Sequence, residues 1–157
     1  MTLLDRFRAQ SRDKHSDPMV RLAFVEALPL DERATIAAVA REDDDPRVRR
    51  AAVSKLMAPA TLAAIAHDDR DEDVRAHALT MLRDLALEAF EDAGEAESLE
   101  AVAAVTDTRV LAQVAKHTLR EAVARQALSR IDDGHVLGSI ARHGALDVAR
   151  RSALDLL

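Results

Sequence analysis

One apolar spacing recurs along this 157-residue chain and limits what it can fold into. Counting from a valine, apolar or small residues follow at the fourth, fifth and eighth positions. Val48, Ala52, Val53 and Leu56 show it, as do Val20, Phe24, Val25 and Leu28, then Val74, Ala78, Leu79 and Leu82, then Val123, Ala127, Leu128 and Ile131. Val148, Ser152, Ala153 and Leu156 follow it loosely. At about 100° per residue these positions form one stripe of a helix. Upstream of four of these stretches lies a second spacing, apolar at i and i+3 with alanine at i+4. It is carried by Ile36-Val39-Ala40, Leu62-Ile65-Ala66, Leu111-Val114-Ala115 and Leu137-Ile140-Ala141. The interval from the first residue to the valine is the same in three cases (Ile36 to Val48, Leu62 to Val74, Leu111 to Val123) and one shorter in the last, Leu137 to Val148. The chain therefore reads as pairs of helices, a first and a second, joined by a short turn.

The valines Val20, Val48, Val74, Val123 and Val148 are evenly placed except for one step. That from Val74 to Val123 is about twice any other, which predicts a degenerate unit between Leu82 and Arg109. Leu85-Ala86-Leu87-Phe90 would supply its first helix, Asp92-Ala93-Gly94-Glu95 its turn and Ser98–Val105 its second helix, with Ser98 in the valine's place. Six units result: 1–28, 29–57, 58–82, 83–107, 108–132 and 133–157. One such pair cannot bury both its faces alone. The expected architecture is all-α, an α-solenoid of about six stacked antiparallel helix pairs forming a single domain, 1–157, with the fourth repeat degenerate.

Composition agrees with this. Aromatic residues make up 2%, limited to Phe7, Phe24 and Phe90, so the core must be built from Ala, Leu and Val in closely packed helices. Four Gly and four Pro leave little for β-turns, and no segment alternates like a strand. Pro18 and Pro46 fall at the first turn of second helices, where a missing N–H costs nothing, and Asp17 and Asp45 stand before them as N-caps. Asp71 and Glu72 do the same in the third unit. Pro29 and Pro59 mark entries to first helices, and Gly134 and Gly144 late turns.

The segments DPRVRRAAVSKL, DEDVRAHALTML and DPMVRLAFVEAL resemble the second helix of HEAT-like repeats of the short bacterial type. The resemblance covers nearly the whole chain, most strongly 30–82 and 109–131. It implies a solenoid whose second helices line a concave surface. The family spans scaffolds, bilin-lyase-like proteins, DNA-repair enzymes and a metal hydroxylase, so the resemblance alone selects no activity. The hydroxylase branch holds iron through His-Glu dipeptides, and this sequence has none among His15, His67, His77, His117, His135 and His143.

Further function classes fall away on residue content. Without cysteine there is no disulfide, thiol chemistry or cysteine metal site. The N-terminal MTLLDRFRAQ lacks the apolar core of a signal peptide, and no run approaches a membrane span. A net charge of −6 with 32% charged residues suits a cytoplasmic protein and weighs against a general nucleic-acid binder. No Gly-rich phosphate loop, serine elbow or His-Glu-x-x-His motif is present. No catalytic residue, metal or cofactor is expected.

Two groups of charged residues remain. The arginine after the valine, at Arg21, Arg49 and Arg75, lies within the apolar stripe and must be paired or reach solvent. Asp17, Asp45 and Asp71, three residues before each valine, are its expected partners in a structural ladder that stops where alanine replaces arginine, at Ala124 and Ala149. The acidic turns Glu42–Asp45 and Asp68–Asp73 read as N-caps and favourable charges at helix ends, without the ligand spacing of a calcium loop. The outward face of the second helices carries Arg50, Lys55, His77, Arg125, Gln126, Arg130, Arg150 and Arg151, against few acids. With the resemblance, this predicts a non-catalytic scaffold or adaptor whose concave face, through Arg50, Lys55, His77, Arg125, Arg130, Arg150 and Arg151, binds another protein with an acidic surface or peptide. A nucleic-acid-binding solenoid that contacts phosphates is the alternative, though the face lacks aromatic platforms for bases. An enzyme of a lyase or repair branch is third. The chain stops within an apolar second helix, at Ala153-Leu154-Asp155-Leu156-Leu157, whereas solenoids need polar caps. A longer parent protein or a partner at that end is therefore expected.

Overall fold

The computed structural model describes residues 12–90 and 94–157. Phe7 and the rest of the first expected helix, together with Asp92 and Ala93 of the expected fourth turn, lie outside the described residues. Among those described, the chain forms ten α-helices and no β-strand. In order they are α1 (Pro18–Ala27), α2 (Arg33–Glu42), α3 (Pro46–Val53), α4 (Pro59–Asp68), α5 (Glu72–Ala86), α6 (Glu95–Ala104), α7 (Thr108–His117), α8 (Glu121–Leu128), α9 (Gly134–His143) and α10 (Asp147–Asp155). None is long and apolar enough to cross a membrane.

The residues fall into two compact units. One gathers the described residues up to Leu56 with Ile65–Ala78, and the other gathers Met57–Ala64 with the described residues from Leu79 to Leu157. In the first, α2 packs on α3 and α3 on α1. In the second, α7 packs on α8 and α9 on α10, while α8 also meets α6 and α10, and α7 meets α9. The recurrent stripe accounts for the interior of both. Val48, Ala52, Val53 and Leu56 are buried, as are Val74, Ala78 and Leu82, and Val123, Ala127, Leu128 and Ile131. Each large apolar side chain so placed contributes roughly 1.5–3 kcal/mol. Helix starts follow the turn chemistry: Asp17 and Asp45 accept from the backbone N–H groups of Met19 and Arg47, with Pro18 and Pro46 at the first turn.

Three expectations need correction. The first concerns the last helix. Val148 is half-buried, while Ala149 and Ala153 are fully buried. Ala149 therefore holds the valine's place. It stands as far past Leu137 as Val48 stands past Ile36, and as far past Val123 as Val74 past Val48, which removes the irregular spacing read from sequence.

The second concerns the fourth unit. The boundary expected between 82 and 83 falls inside α5, which continues to Ala86 and absorbs Leu85 and Ala86 instead of leaving them to a new helix. That helix is stopped by Glu88, whose φ of 58° is left-handed. The N–H groups of Glu88 and Ala89 return to the carbonyls of Leu85 and Asp84, a Schellman closure made without glycine. Arg120 holds the Glu88 carboxylate at 2.6 Å.

The third concerns α6. It buries Ser98, Ala101, Val102 and Val105, so the valine's place falls on exposed Glu97 and not on Ser98. Ser98 takes the arginine's place and gives its hydroxyl to the Leu85 carbonyl at 3.0 Å. With the anchors set at Val20, Val48, Val74, Glu97, Val123 and Ala149, any position can be named by its slot, +1 being the residue after the anchor and −5 the fifth before it.

Candidate functional site

The charged residues of the second helices divide by what their side chains hold. Slot +1 holds arginine in α1, α3, α5 and α10, and all four use Nη1 alike. Each reaches back six residues to a turn carbonyl: Arg21 to His15 (2.6 Å), Arg49 to Asp43 (2.8 Å), Arg75 to Asp69 (2.7 Å) and Arg150 to Gly144 (2.9 Å). Arg150, expected on the partner-binding face, is thus a turn-binding arginine. The shift of the anchor to Ala149 is the reason.

Two of these arginines use their remaining edge on a carboxylate further along the chain. Arg49 grips Asp69 through Nε and Nη2, both at 2.8 Å, and Arg21 grips Asp43 at 2.7 and 2.9 Å. Planar two-point pairing of this kind is the strongest form of a charge-assisted hydrogen bond. Arg49 is only 2% exposed, and no larger side chain is so fully buried among the described residues. The ladder therefore exists, but its acids lie in slot −5, not slot −3. Asp17, Asp45 and Asp71 are occupied as caps, with Asp71 accepting from the Val74 N–H at 3.1 Å. Slot −5 also shapes four of the turns. His15 Nδ1, Asp43, Asp69 and Thr118 each accept the backbone N–H two residues on.

These contacts set the acidities. Burial pushes the Asp43 carboxyl up, but the hydrogen bond from Arg21, the Asp45 N–H and the arginine's charge outweigh it and hold the group below its ordinary 3.8. Asp69 follows the same balance, with Arg49 and the Asp71 N–H in those roles. Asp45 is lowered to about 2, chiefly by the hydrogen bond from the Arg47 side chain. Asp43, Asp45, Asp69 and Asp71 of the acidic turns are thus consumed in holding the chain.

Slot +7 is also structural. Lys55 gives Nζ to the carbonyls of Glu26 and Leu28, both at 2.7 Å, and Arg130 gives Nη1 to those of Val102 and Ala103 at 2.6 and 3.1 Å. Both cations close the C-terminal end of the second helix packed beside their own, where unmet carbonyls carry partial negative charge. Each acceptor lies about one whole helix pair back along the chain, which conceals the contact from a reading of helix faces.

Slot +2 is different. Arg50, Arg125 and Arg151 occupy it, and all three are exposed. Arg125 pairs only with Glu121, one turn away on the surface. The guanidinium groups of Arg50 and Arg151 make no hydrogen bond or ion pair among the described residues. Arg50 lies in an open hollow of about 540 Å³ whose walls come from α1, α3 and α5: Leu22, Glu26, Arg47, Ala51, Ser54 and His77. His77 Nε2 lies 2.7 Å from the Ser54 hydroxyl. Of the seven expected binding residues, Arg50 and His77 come together here. A second hollow, about 610 Å³, runs along the turns beside His15, Arg21 and Asp43, whose side chains already hold the turns or the ladder. A third, about 210 Å³, lies between α7 and α9 and is mainly apolar.

Comparison of the chain with protein-family models, with curated proteins and with solved structures finds no match.

Proposed function

We propose that the chain is a HEAT-like α-solenoid of the short type and a non-catalytic binding module, which takes an acidic segment of a partner protein on the second helices of its first compact unit. The observation that carries this reading is slot +2. Arg50, Arg125 and Arg151 stand exposed there, Arg125 pairing only with Glu121 of its own helix, whereas the arginines and lysine of slots +1 and +7 are spent on carbonyls and carboxylates. Arg50 sits in a hollow large enough for several side chains of a partner, with His77 as a second polar contact and Leu22 and Ala51 as apolar floor. Exposed guanidinium groups suit carboxylates by shape as well as charge. The partner is a protein rather than a nucleic acid because the chain is acidic overall and the hollow offers no Phe, Tyr or Trp as a platform for bases.

The contact between Ser54 and His77 has the distance of a nucleophile and its base. Its setting opposes that chemistry. Ser54 is the C-cap of α3, where carbonyls converge and an oxyanion would be repelled. The pair serves better as a polar contact.

A photo-crosslinking residue at Ala51 in the hollow tests the proposal. The expected product is a crosslinked protein that survives nuclease and fades at least about tenfold in Arg50→Glu, the equivalent of about 1.4 kcal/mol. A product abolished by nuclease, or one indifferent to Arg50→Glu, overturns it.

A further inference from the structure

The second compact unit carries another surface, independent of the hollow at Arg50. Along α6 and α8, slots +5 and +8 are buried: Val102 and Val105, then Leu128 and Ile131, with α8 packed on α6 and α10 on α8. In α10 the same slots hold Leu154 and Leu157, which are 58% and 64% exposed, against 1% for Leu128. The slots still carry leucine, the residue that burial requires, with most of its surface bare. Arg150 is in the same condition. It makes the turn contact to Gly144 that Arg49 makes to Asp43, but its outer edge differs. Where Arg49 closes Nε and Nη2 on the Asp69 carboxylate, Arg150 touches only its own neighbour Asp147, through Nη2, and its side chain is 40% exposed. An apolar pair and a two-point cation thus stand together on one face, each in the arrangement that elsewhere receives the next helices.

We propose that this face of α10 is a docking surface for a helix pair that carries an aspartate at its turn. The carboxylate would close on the outer edge of Arg150 while apolar side chains of the incoming pair cover Leu154 and Leu157. The complementarity is that of the Arg49–Asp69 joint. A second copy of this chain fits less well. In the first turn described, slot −5 is His15, so a copy approaching with that turn sets an imidazole against the guanidinium where the joint needs a carboxylate.

The chain supplies its own probe. A second copy of Met57–Leu87, which holds α4 and α5, is appended directly after Leu157. The copied valine then stands as far past Ala149 as Val74 stands past Val48, and the copied Asp69 as far past Arg150 as Asp69 past Arg49. The extended chain is expected to melt at least about 4 °C above the original, since a docked pair adds an interface to the whole. Arg150→Met and Asn in place of the copied Asp69 should each remove most of that gain. Each variant is judged against its own unextended parent, and the two together should cost no more than one. An unchanged melting temperature, or a gain that ignores Arg150, overturns the proposal. So does sedimentation of the unextended chain as a dimer that Leu154→Asp dissociates, because the face is then taken by a second copy. Neither variant touches Arg50, so this result and the crosslinking result stand apart.

Discussion

Asp43 and Asp69 each meet two demands with one carboxylate. One oxygen fixes the turn by accepting an N–H two residues on, and the group as a whole receives an arginine from the preceding second helix. Removing that arginine leaves the acid buried without its counter-charge, which is far more costly than the pair is worth. Arg49→Ala should therefore destabilise the chain by about 3–5 kcal/mol, whereas Arg50→Ala, one residue on and exposed, should stay within about 0.5 kcal/mol. Urea unfolding midpoints decide it, and equal losses would erase the distinction between slots +1 and +2. The need for a partner at Arg21 and Arg49 is legible in the sequence, because a charge inside an apolar stripe cannot be left alone. The identity of the partner is not. Nearness along the chain favours Asp17, Asp45 and Asp71, but a carboxylate at slot −3 is captured by the N–H groups of the helix it begins. The residue two places earlier, at the close of the first helix, is the one turned toward the neighbouring pair.

Among the elements, the second helices are the readable ones. In α3, α5 and α8 the stripe is buried over at least three positions, and α1 and α3 start with Asp-Pro. α6 is harder, since Glu97 and Ser98 replace Val and Arg, and only the burial of Ala101, Val102 and Val105 restores its register. The length of α5 escapes the sequence because its stop is a left-handed Glu88, a conformation most often assigned to glycine or asparagine. Lys55 and Arg130 escape for a different reason: their function is to close another helix, not to face solvent. Lys55→Met and Arg130→Met should each cost about 1–2 kcal/mol, the range for a charged donor lost from backbone carbonyls. Arg125→Met, which breaks only a surface pair, should cost less than about 0.5 kcal/mol. Chemical denaturation of the three variants in parallel checks the ordering, and a large loss at Arg125 would contradict it.

For the whole molecule, the two ladder carboxylates make stability depend on acid in a definite direction. Both titrate below 3.8 when folded, so the stability they contribute is complete above that value and drains away as pH falls through their folded range. The urea midpoint should decline as pH is lowered from about 5 toward about 2. A variant with Asp43→Asn and Asp69→Asn should start lower at pH 7 and show a shallower acid decline; an unchanged slope would remove these groups from the acid response. The same joint also bears on how such a chain changes over generations. Ala124 and Gly144 are spaced like Arg49 and Asp69, and there both halves of the joint are missing. Arginine at Ala124 alone would put an unmatched charge at a fully buried position. At Gly144 the N–H lies 2.7 Å from the Ile140 carbonyl, against 3.2 Å between Asp43 and Val39, and a Cβ there would meet that carbonyl oxygen at 2.9 Å. Neither half can be introduced first without loss, just as neither half of the Arg49–Asp69 joint can be removed alone without leaving a buried, unmatched charge. Such a joint is therefore gained or lost as a pair, and two residues twenty positions apart are bound to change together.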